Sequence, residues 1–204
     1  PVLDDEEREE LCKGAVRLAK AAGYYSAGTV EFLRDDATGN FYLLEVNARV
    51  QVEHPVSELL TGVDIVQMQI KVAAGEKLPF TQRQIKRQGH AIEVRINAED
   101  PATNFTPSPG VIEVFDQPGG PGVRIDTHCY NGYRVPPNYD SMIAKLIVHK
   151  PTREEAINTV LRALHEFRIE PIKTTIPLHE RLMLNGSFRK SDVDIHFVER
   201  LLQG

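Results

Sequence analysis

Phe41–His54 reads F-Y-L-L-E-V-N-A-R-V-Q-V-E-H. Its even positions, Tyr42, Leu44, Val46, Ala48, Val50 and Val52, are apolar or aromatic. Its odd positions Glu45, Asn47, Arg49, Gln51 and Glu53 are polar. Successive side chains of an extended chain point to opposite faces, so the even set is expected on a core. The odd set would then form a polar row with about 6.6 Å between neighbours. One reading is an amphipathic strand with a solvated face. However, the row mixes acids, a guanidinium and two carboxamides, where solvated strand faces favour Thr, Lys and Ser. The second reading is a grip for a string of charged groups, such as a metal–phosphate–oxyanion array.

Upstream, Ser26–Leu33 reads as a strand and Asp35-Asp36-Ala37-Thr38-Gly39-Asn40 as a hairpin loop. A loop centred near Ala37–Thr38 brings Glu31 close to Glu45 across the hairpin. Facing carboxylates destabilise a sheet. A divalent cation between them turns that repulsion into binding, and oxygen ligands suit Mg²⁺ or Mn²⁺. Further upstream, Asp4 and Asp5 can cap a helix with Glu6 and Glu7 in its first turn. Leu11, Val16, Leu18, Ala19 and Ala22 would form its apolar stripe, and Gly23 its stop.

Downstream, a helix is expected around Asp64–Ala74, ended by Gly75. The polar stretch Gly75–Gly89 reads as a crossing between lobes. In His90–Asn97, Ile92, Val94 and Ile96 point inward, with Glu93 and Arg95 on the other face. Pro101–Pro137 is rich in Pro and Gly, so short strands between tight turns are expected at Val111–Phe115 and Val123–Thr127, followed by one at Ser141–His149. Thr152 and Glu155 make a capping box for a helix to Arg168, with Ala156, Val160, Leu164 and Phe167 as its stripe. Shorter helices follow at Pro177–Leu184, stopped by Asn185-Gly186, and at Ile195–Leu202. The sum is α+β with antiparallel sheet, which does not by itself specify a function.

Composition narrows the classes. At 204 residues, 41% hydrophobic and 26% charged, the chain can build one large or two small globular domains. A net charge of −5 with scattered Lys and Arg offers no nucleic-acid footprint. Cys12 and Cys129 lie far apart without metal spacing, as in a reduced intracellular protein, and no run approaches a membrane span. The opening Pro1-Val2-Leu3 has neither an initiator Met nor a signal peptide, so the chain reads as a piece of something longer.

The run E-V-N-A-R-V-Q-V-E-H-P-V-S-E at Glu45–Glu58 resembles the ATP-grasp active-site strand and loop of biotin carboxylases. These are the first-step subunits or domains of acetyl-CoA, propionyl-CoA and pyruvate carboxylases. The likeness continues through G-H-A-I-E-V-R-I-N-A-E-D-P at Gly89–Pro101 and P-S-P-G at Pro107–Gly110. It extends to G-V-R-I-D-T-H at Gly122–His128 and Y-D-S-M-I-A-K-L at Tyr139–Leu146. The resemblance implies the C-terminal portion of an ATP-grasp domain over residues 1–88, then the biotin carboxylase C-terminal domain over 89–204.

The implied reaction uses ATP to phosphorylate bicarbonate to carboxyphosphate, whose CO₂ carboxylates biotin on a carrier protein. This is the first half-reaction of acetyl-CoA carboxylase in fatty acid biosynthesis, or of a relative, in the cytoplasm. Implied partners are biotin carboxyl carrier protein, a carboxyltransferase subunit or domain, and a second copy bound through the C-terminal domain, where Arg124 is a candidate contact. By the same resemblance Glu31, Glu45 and Asn47 hold Mg²⁺ or Mn²⁺ on the ATP phosphates. Arg49, Gln51 and the Val52 N–H bind bicarbonate, and Glu53 is the general base. Arg95 matches the arginine that stabilises the biotin enolate, near the departing phosphate. His54 is expected to shape the turn, and the resemblance assigns no role here to His90, His128, Asp140 or Lys145. The family's Gly-rich lid and first nucleotide-contacting residues have no counterpart, so these 204 residues alone are expected to be inactive. The competing readings are another ATP-grasp ligase of the carbamoyl phosphate synthetase type and a non-catalytic dimerisation or docking module.

Overall fold

The computed structural model describes residues 3–35 and 37–203; Pro1, Val2, Gly204 and the Asp36 of the predicted hairpin loop lie outside them. The chain forms two compact units, Pro1–Lys86 and Arg87–Gly204.

The first unit opens with α1, Asp5–Ala21. Asp4 accepts the Glu7 N–H at 2.8 Å and Glu7 returns the bond to the Asp4 N–H at 3.1 Å, the reciprocal cap that the acidic start favours. Gly23, at φ +62°, ends the helix where a left-handed residue is needed. Strand β1, Thr29–Arg34, begins later than expected because Ser26 sits at φ +93°, outside the extended region. β1 pairs antiparallel with β2, Phe41–Asn47. The loop between them is tied by the Asp35 carboxylate, which accepts the Ala37 N–H at 2.9 Å and the Thr38 hydroxyl at 2.8 Å.

Two expectations for this unit fail. The even positions of the central stretch do not lie on a core: Tyr42, Leu44 and Val46 are 53%, 63% and 47% exposed. A two-stranded ribbon buries little by itself. The parity also breaks at a bulge, since Glu31 pairs with Glu45 but Phe32 with Leu43. The strand then stops at Asn47, so Arg49, Gln51 and Glu53 lie on an irregular segment and not on a continuous strand face. The α1 stripe is at most partly covered as well. Among the described residues of this unit, only Pro55 and Glu58 are buried.

Those two belong to α2, His54–Thr61, a helix not foreseen from the sequence. Pro55 occupies its first turn, where a missing N–H costs nothing, and Gly62 closes it at φ +72°. Asp64 then caps α3, Ile65–Ala73, by accepting the Gln67 N–H at 2.7 Å.

The second unit is built on the antiparallel order β3–β10–β8, with β3 His90–Asn97, β8 Val123–Thr127 and β10 Met142–Lys150. Between them run the short strands β4 Glu99–Asp100, β5 Thr106–Pro107, β6 Gly110–Val111, β7 Val114–Asp116 and β9 Arg134–Val135, as the Pro- and Gly-rich segment demands. Gly89 and Gly122 both press against the end of β10. A Cβ on Gly89 would collide with the Lys150 carbonyl and one on Gly122 with the His149 carbonyl.

Helix α4, Arg153–Glu166, carries the predicted capping box, and it buries Ala156, Ile157, Val160, Ala163 and Leu164. They meet Val94 and Ile96 of β3 and Leu146 and Val148 of β10 in one core. Burying the Val, Leu and Ile side chains among them stabilises by about 1.5–3 kcal/mol each before entropy is charged, and the two alanines add less. Ile147 is also fully buried, so β10 is covered on both faces, as a central strand can be. Strand β11, Arg168–Glu170, pairs with β7, and α5, Ile176–Leu184, packs beside α4. Asn185 and Gly186 do not simply stop the chain. Asn185 caps a short α6, Gly186–Arg189, by accepting the Ser187 N–H at 2.9 Å. Helix α7, Phe197–Gln203, follows. Among the described residues no helix is long and apolar enough to cross a membrane.

Candidate active site

Glu31 and Glu45 face each other across β1 and β2. Two residues on, the Asn47 amide Nδ2 donates to Glu31 Oε1 at 2.9 Å and to Glu45 Oε1 at 2.8 Å. Gln51 Nε2 reaches the same Glu31 oxygen at 3.1 Å. Two carboxylates thus converge on one point, occupied here by a neutral donor. An amide can turn end for end, since its N and O differ only in their hydrogen-bond roles. Turned, Asn47 presents Oδ1 to that point, giving two carboxylates and a carbonyl. That all-oxygen set fits Mg²⁺ or Mn²⁺, which take one or two protein carboxylates and leave positions for phosphate oxygens. Among the described residues there is no group of three or more His, Cys, Asp or Glu side chains that could hold a metal ion, so a cation here would need the Asn47 carbonyl beside the two carboxylates.

Beyond Asn47 the chain leaves the sheet. Arg49 is exposed, with Nη2 3.4 Å from Asn47 Oδ1 and Nη1 3.3 Å from the Val50 carbonyl. Both contacts are long and lie within its own segment. Gln51 and Val52 are half-buried, and Glu53 stands at the N-cap of α2. The Glu53 side chain makes no capping hydrogen bond to that helix. The structure therefore gathers Glu31, Glu45, Asn47 and Gln51 by direct hydrogen bonds, and carries Arg49, Val52 and Glu53 on the same short segment.

Arg95 lies in the second unit. On β3 it is paired in register with Lys145 of β10, which in turn pairs with Asp126 of β8. Lys145 is buried, and its Nζ lies 3.5 Å from Asp126 Oδ2. Arg124 grips the same carboxylate with Nε at 2.7 Å and Nη2 at 2.9 Å. Burial raises the Asp126 carboxyl, but Arg124 and Lys145 outweigh it and hold it below the usual carboxylate range. Lys145 thus has a place in a charge network beside Arg95. His90 meets Arg153 at 3.3 Å, His128 stacks edge-on with Tyr133, and Asp140 accepts the Met142 N–H at 2.8 Å.

Sequence reasoning missed the support beneath Arg95. The Arg95 carbonyl accepts the Thr175 hydroxyl at 3.1 Å and His179 Nε2 at 2.8 Å, and the Asn97 N–H donates to the Thr175 Oγ1 at 3.0 Å. Thr175 and His179 follow Arg95 by about eighty positions, beyond the reach of any local pattern.

Residues 93–200 match the family model of the biotin carboxylase C-terminal domain, and residues 1–81 that of the carbamoyl-phosphate synthase L chain, ATP binding domain. The chain is 52% identical over 204 residues to a pyruvate carboxylase subunit of Methanothermobacter thermautotrophicus, spanning all of this chain and 41% of that one. It is 51% identical over 201 residues to the biotin carboxylase of a Nostoc species, spanning 98% of this chain and 45% of that one. Among solved structures, the biotin carboxylase domain of a thermophilic 2-oxoglutarate carboxylase bound to bicarbonate aligns with a TM-score of 0.95 at 46% identity, over 98% of this chain and 46% of that one. The dimer of that domain from Hydrogenobacter thermophilus, in complex with MgADP, ADP and bicarbonate, aligns with a TM-score of 0.94 at 46% identity, over 98% of this chain and 45% of that one. The chain spans less than half the length of these relatives. The α+β architecture and a family match over more than half of the residues agree: the chain belongs to the biotin carboxylase family.

Proposed function

We propose that this chain supplies half of the active site of an ATP-dependent biotin carboxylase: ATP phosphorylates bicarbonate to carboxyphosphate, and biotin on a carrier protein then takes up the CO₂. The observation that carries this reading is the convergence of Glu31, Glu45 and Asn47 immediately ahead of Arg49, Gln51 and Glu53. In this reading the three hairpin residues hold Mg²⁺ or Mn²⁺. When bound, the cation neutralises the phosphate charge that opposes transfer. The Arg49 fork takes the two-oxygen face of bicarbonate, with Gln51 and the Val52 N–H beside it. Glu53 withdraws the bicarbonate proton so that its oxygen can attack the γ-phosphate. Arg95 stabilises the negative oxygen that develops on the biotin ureido group.

Residues 1–88 would be the ATP-grasp part and 89–204 the C-terminal domain. The relatives include carboxylases of pyruvate and 2-oxoglutarate, so the final acceptor is set outside this chain, and acetyl-CoA is one option. A biotin carboxyl carrier protein, a carboxyltransferase and a second copy of this chain are the proposed partners, and the cytoplasm the proposed location. The match of residues 93–200 favours this branch over a carbamoyl phosphate synthetase relative. With its hairpin face exposed and no Gly-rich lid in its sequence, the 204-residue polypeptide alone is proposed to be inactive. Carboxylation of free biotin by the full-length protein, dependent on both ATP and bicarbonate, tests the assignment; a protein that cleaves ATP but never carboxylates biotin would contradict it.

A further inference from the structure

Ala48–Glu53 has no regular secondary structure, so ladder hydrogen bonds do not hold Arg49, Gln51 and Glu53 in place. The segment is fastened at its exit. The Gln51 carbonyl accepts the His54 backbone N–H at 3.2 Å and lies 2.7 Å from the His54 ring Nδ1. A carbonyl only accepts, so Nδ1 carries the proton. The other ring nitrogen, Nε2, faces Glu58 Oε1 at 4.0 Å, one turn along α2. That same Glu58 oxygen accepts the N–H of Ile65, the first residue of α3, at 2.8 Å. A chain of polar contacts therefore runs from the Gln51 carbonyl through His54 and Glu58 to the start of the next helix.

Burial adds a second, independent observation. Glu58 and Pro55 are the buried residues among those described in this unit, and both lie on the helix that this segment enters. Burying a carboxylate is costly, so its place here calls for charged or hydrogen-bonding partners, among them the Ile65 N–H. A carboxylate 4.0 Å from Nε2 is beyond a direct hydrogen bond; it orients the ring by charge when both ring nitrogens carry protons, and so favours the pose that keeps Nδ1 on the Gln51 carbonyl.

We infer that His54 and Glu58 are a positioning pair, holding the Arg49–Glu53 segment so that Glu53 and the Arg49 fork address one bound bicarbonate. This rests on the roles proposed for Arg49 and Glu53. The two residues touch neither substrate nor metal; they act through the Gln51 peptide. A displacement of about 1 Å in such a segment can cost about a hundredfold in rate.

The test uses full-length protein and reads kcat and KM for bicarbonate in ATP cleavage, KM for ATP, and Tm. His54→Ala should lower kcat/KM for bicarbonate by about 10–100-fold while KM for ATP stays within about twofold. His54→Asn, whose amide can replace the Nδ1 donor, should recover most of the loss. Glu58→Gln keeps the size and an acceptor for the Ile65 N–H while removing the charge that faces His54, and it should show the same bicarbonate-selective defect at a Tm within a few degrees of the unsubstituted protein. Full activity in Glu58→Gln, or a His54→Ala defect spread equally over ATP and bicarbonate and not relieved by His54→Asn, overturns the pair. Glu53→Gln run alongside separates the two levels: if its rate is unchanged, the catalytic reading fails and the pair's role falls with it. If Glu53→Gln is crippled while His54→Ala is fully active, only the positioning claim fails.

Discussion

Glu31 and Glu45 sit directly opposite each other in the β1–β2 ladder, two carboxylates that one Asn47 amide bridges at 2.9 and 2.8 Å. Like charges in facing positions weaken a sheet, and the cation proposed for this site would relieve that repulsion. In full-length protein, Glu45→Gln should leave Tm unchanged or slightly raised without divalent cations, and should remove most of any Tm rise that Mg²⁺ with a nucleotide brings. A Mg²⁺-nucleotide shift equal to that of the unsubstituted protein would take Glu45 out of the site.

Arg95 is placed by the two hydrogen bonds that its carbonyl accepts from Thr175 and His179. If it serves the biotin step, Arg95→Ala should reduce biotin carboxylation at least tenfold more than it reduces bicarbonate-dependent ATP cleavage. Assaying both activities on one preparation decides this. Equal loss in the two would assign Arg95 to bicarbonate.

His179 also gives a pH signature. Burial pushes its ring below the ordinary histidine value, although its bond to the Arg95 carbonyl acts the other way. Burial and the nearby Arg153 charge lower His90 too. The folded state then binds fewer protons than the unfolded chain. Stability from these groups is fully present above the unfolded value, about 6.5, and is lost as pH falls through it toward the folded value. Urea midpoints should therefore fall from about pH 7 to about pH 5, with a shallower fall in His179→Gln. An unchanged slope in His179→Gln would contradict that role for His179.

How much is legible in the sequence depends on the range of the physics involved. Local signals carry: the Asp4–Glu7 and Thr152–Glu155 boxes lie within one turn of their helices, and strand Val123–Thr127 is bounded by turn residues on both sides. That Glu31 comes close to Glu45 is legible because a short hairpin loop sets the register to within a residue, whereas their direct pairing comes from the bulge between Glu31 and Phe32, which no local signal marks. The exposure of Tyr42, Leu44 and Val46 is not, because alternation reports which face is apolar and says nothing of what covers it. The row beyond Asn47 reads as strand because Arg49, Gln51 and Glu53 keep alternating after the ladder has ended. Helix α2 escapes notice because Pro55, a helix starter here, reads equally well as a breaker. The anchors of Arg95 come from an element far along the chain, which only the fold brings near.

The most direct measurement of the central claim, that the Glu31–Glu53 stretch is a metal, bicarbonate and base array, is bicarbonate-dependent ATP cleavage by full-length Glu53→Gln protein. Glutamine keeps the shape and removes the base, so the rate should fall by about 10²–10⁴-fold with KM for ATP little changed. A rate equal to that of the unsubstituted protein would contradict the account.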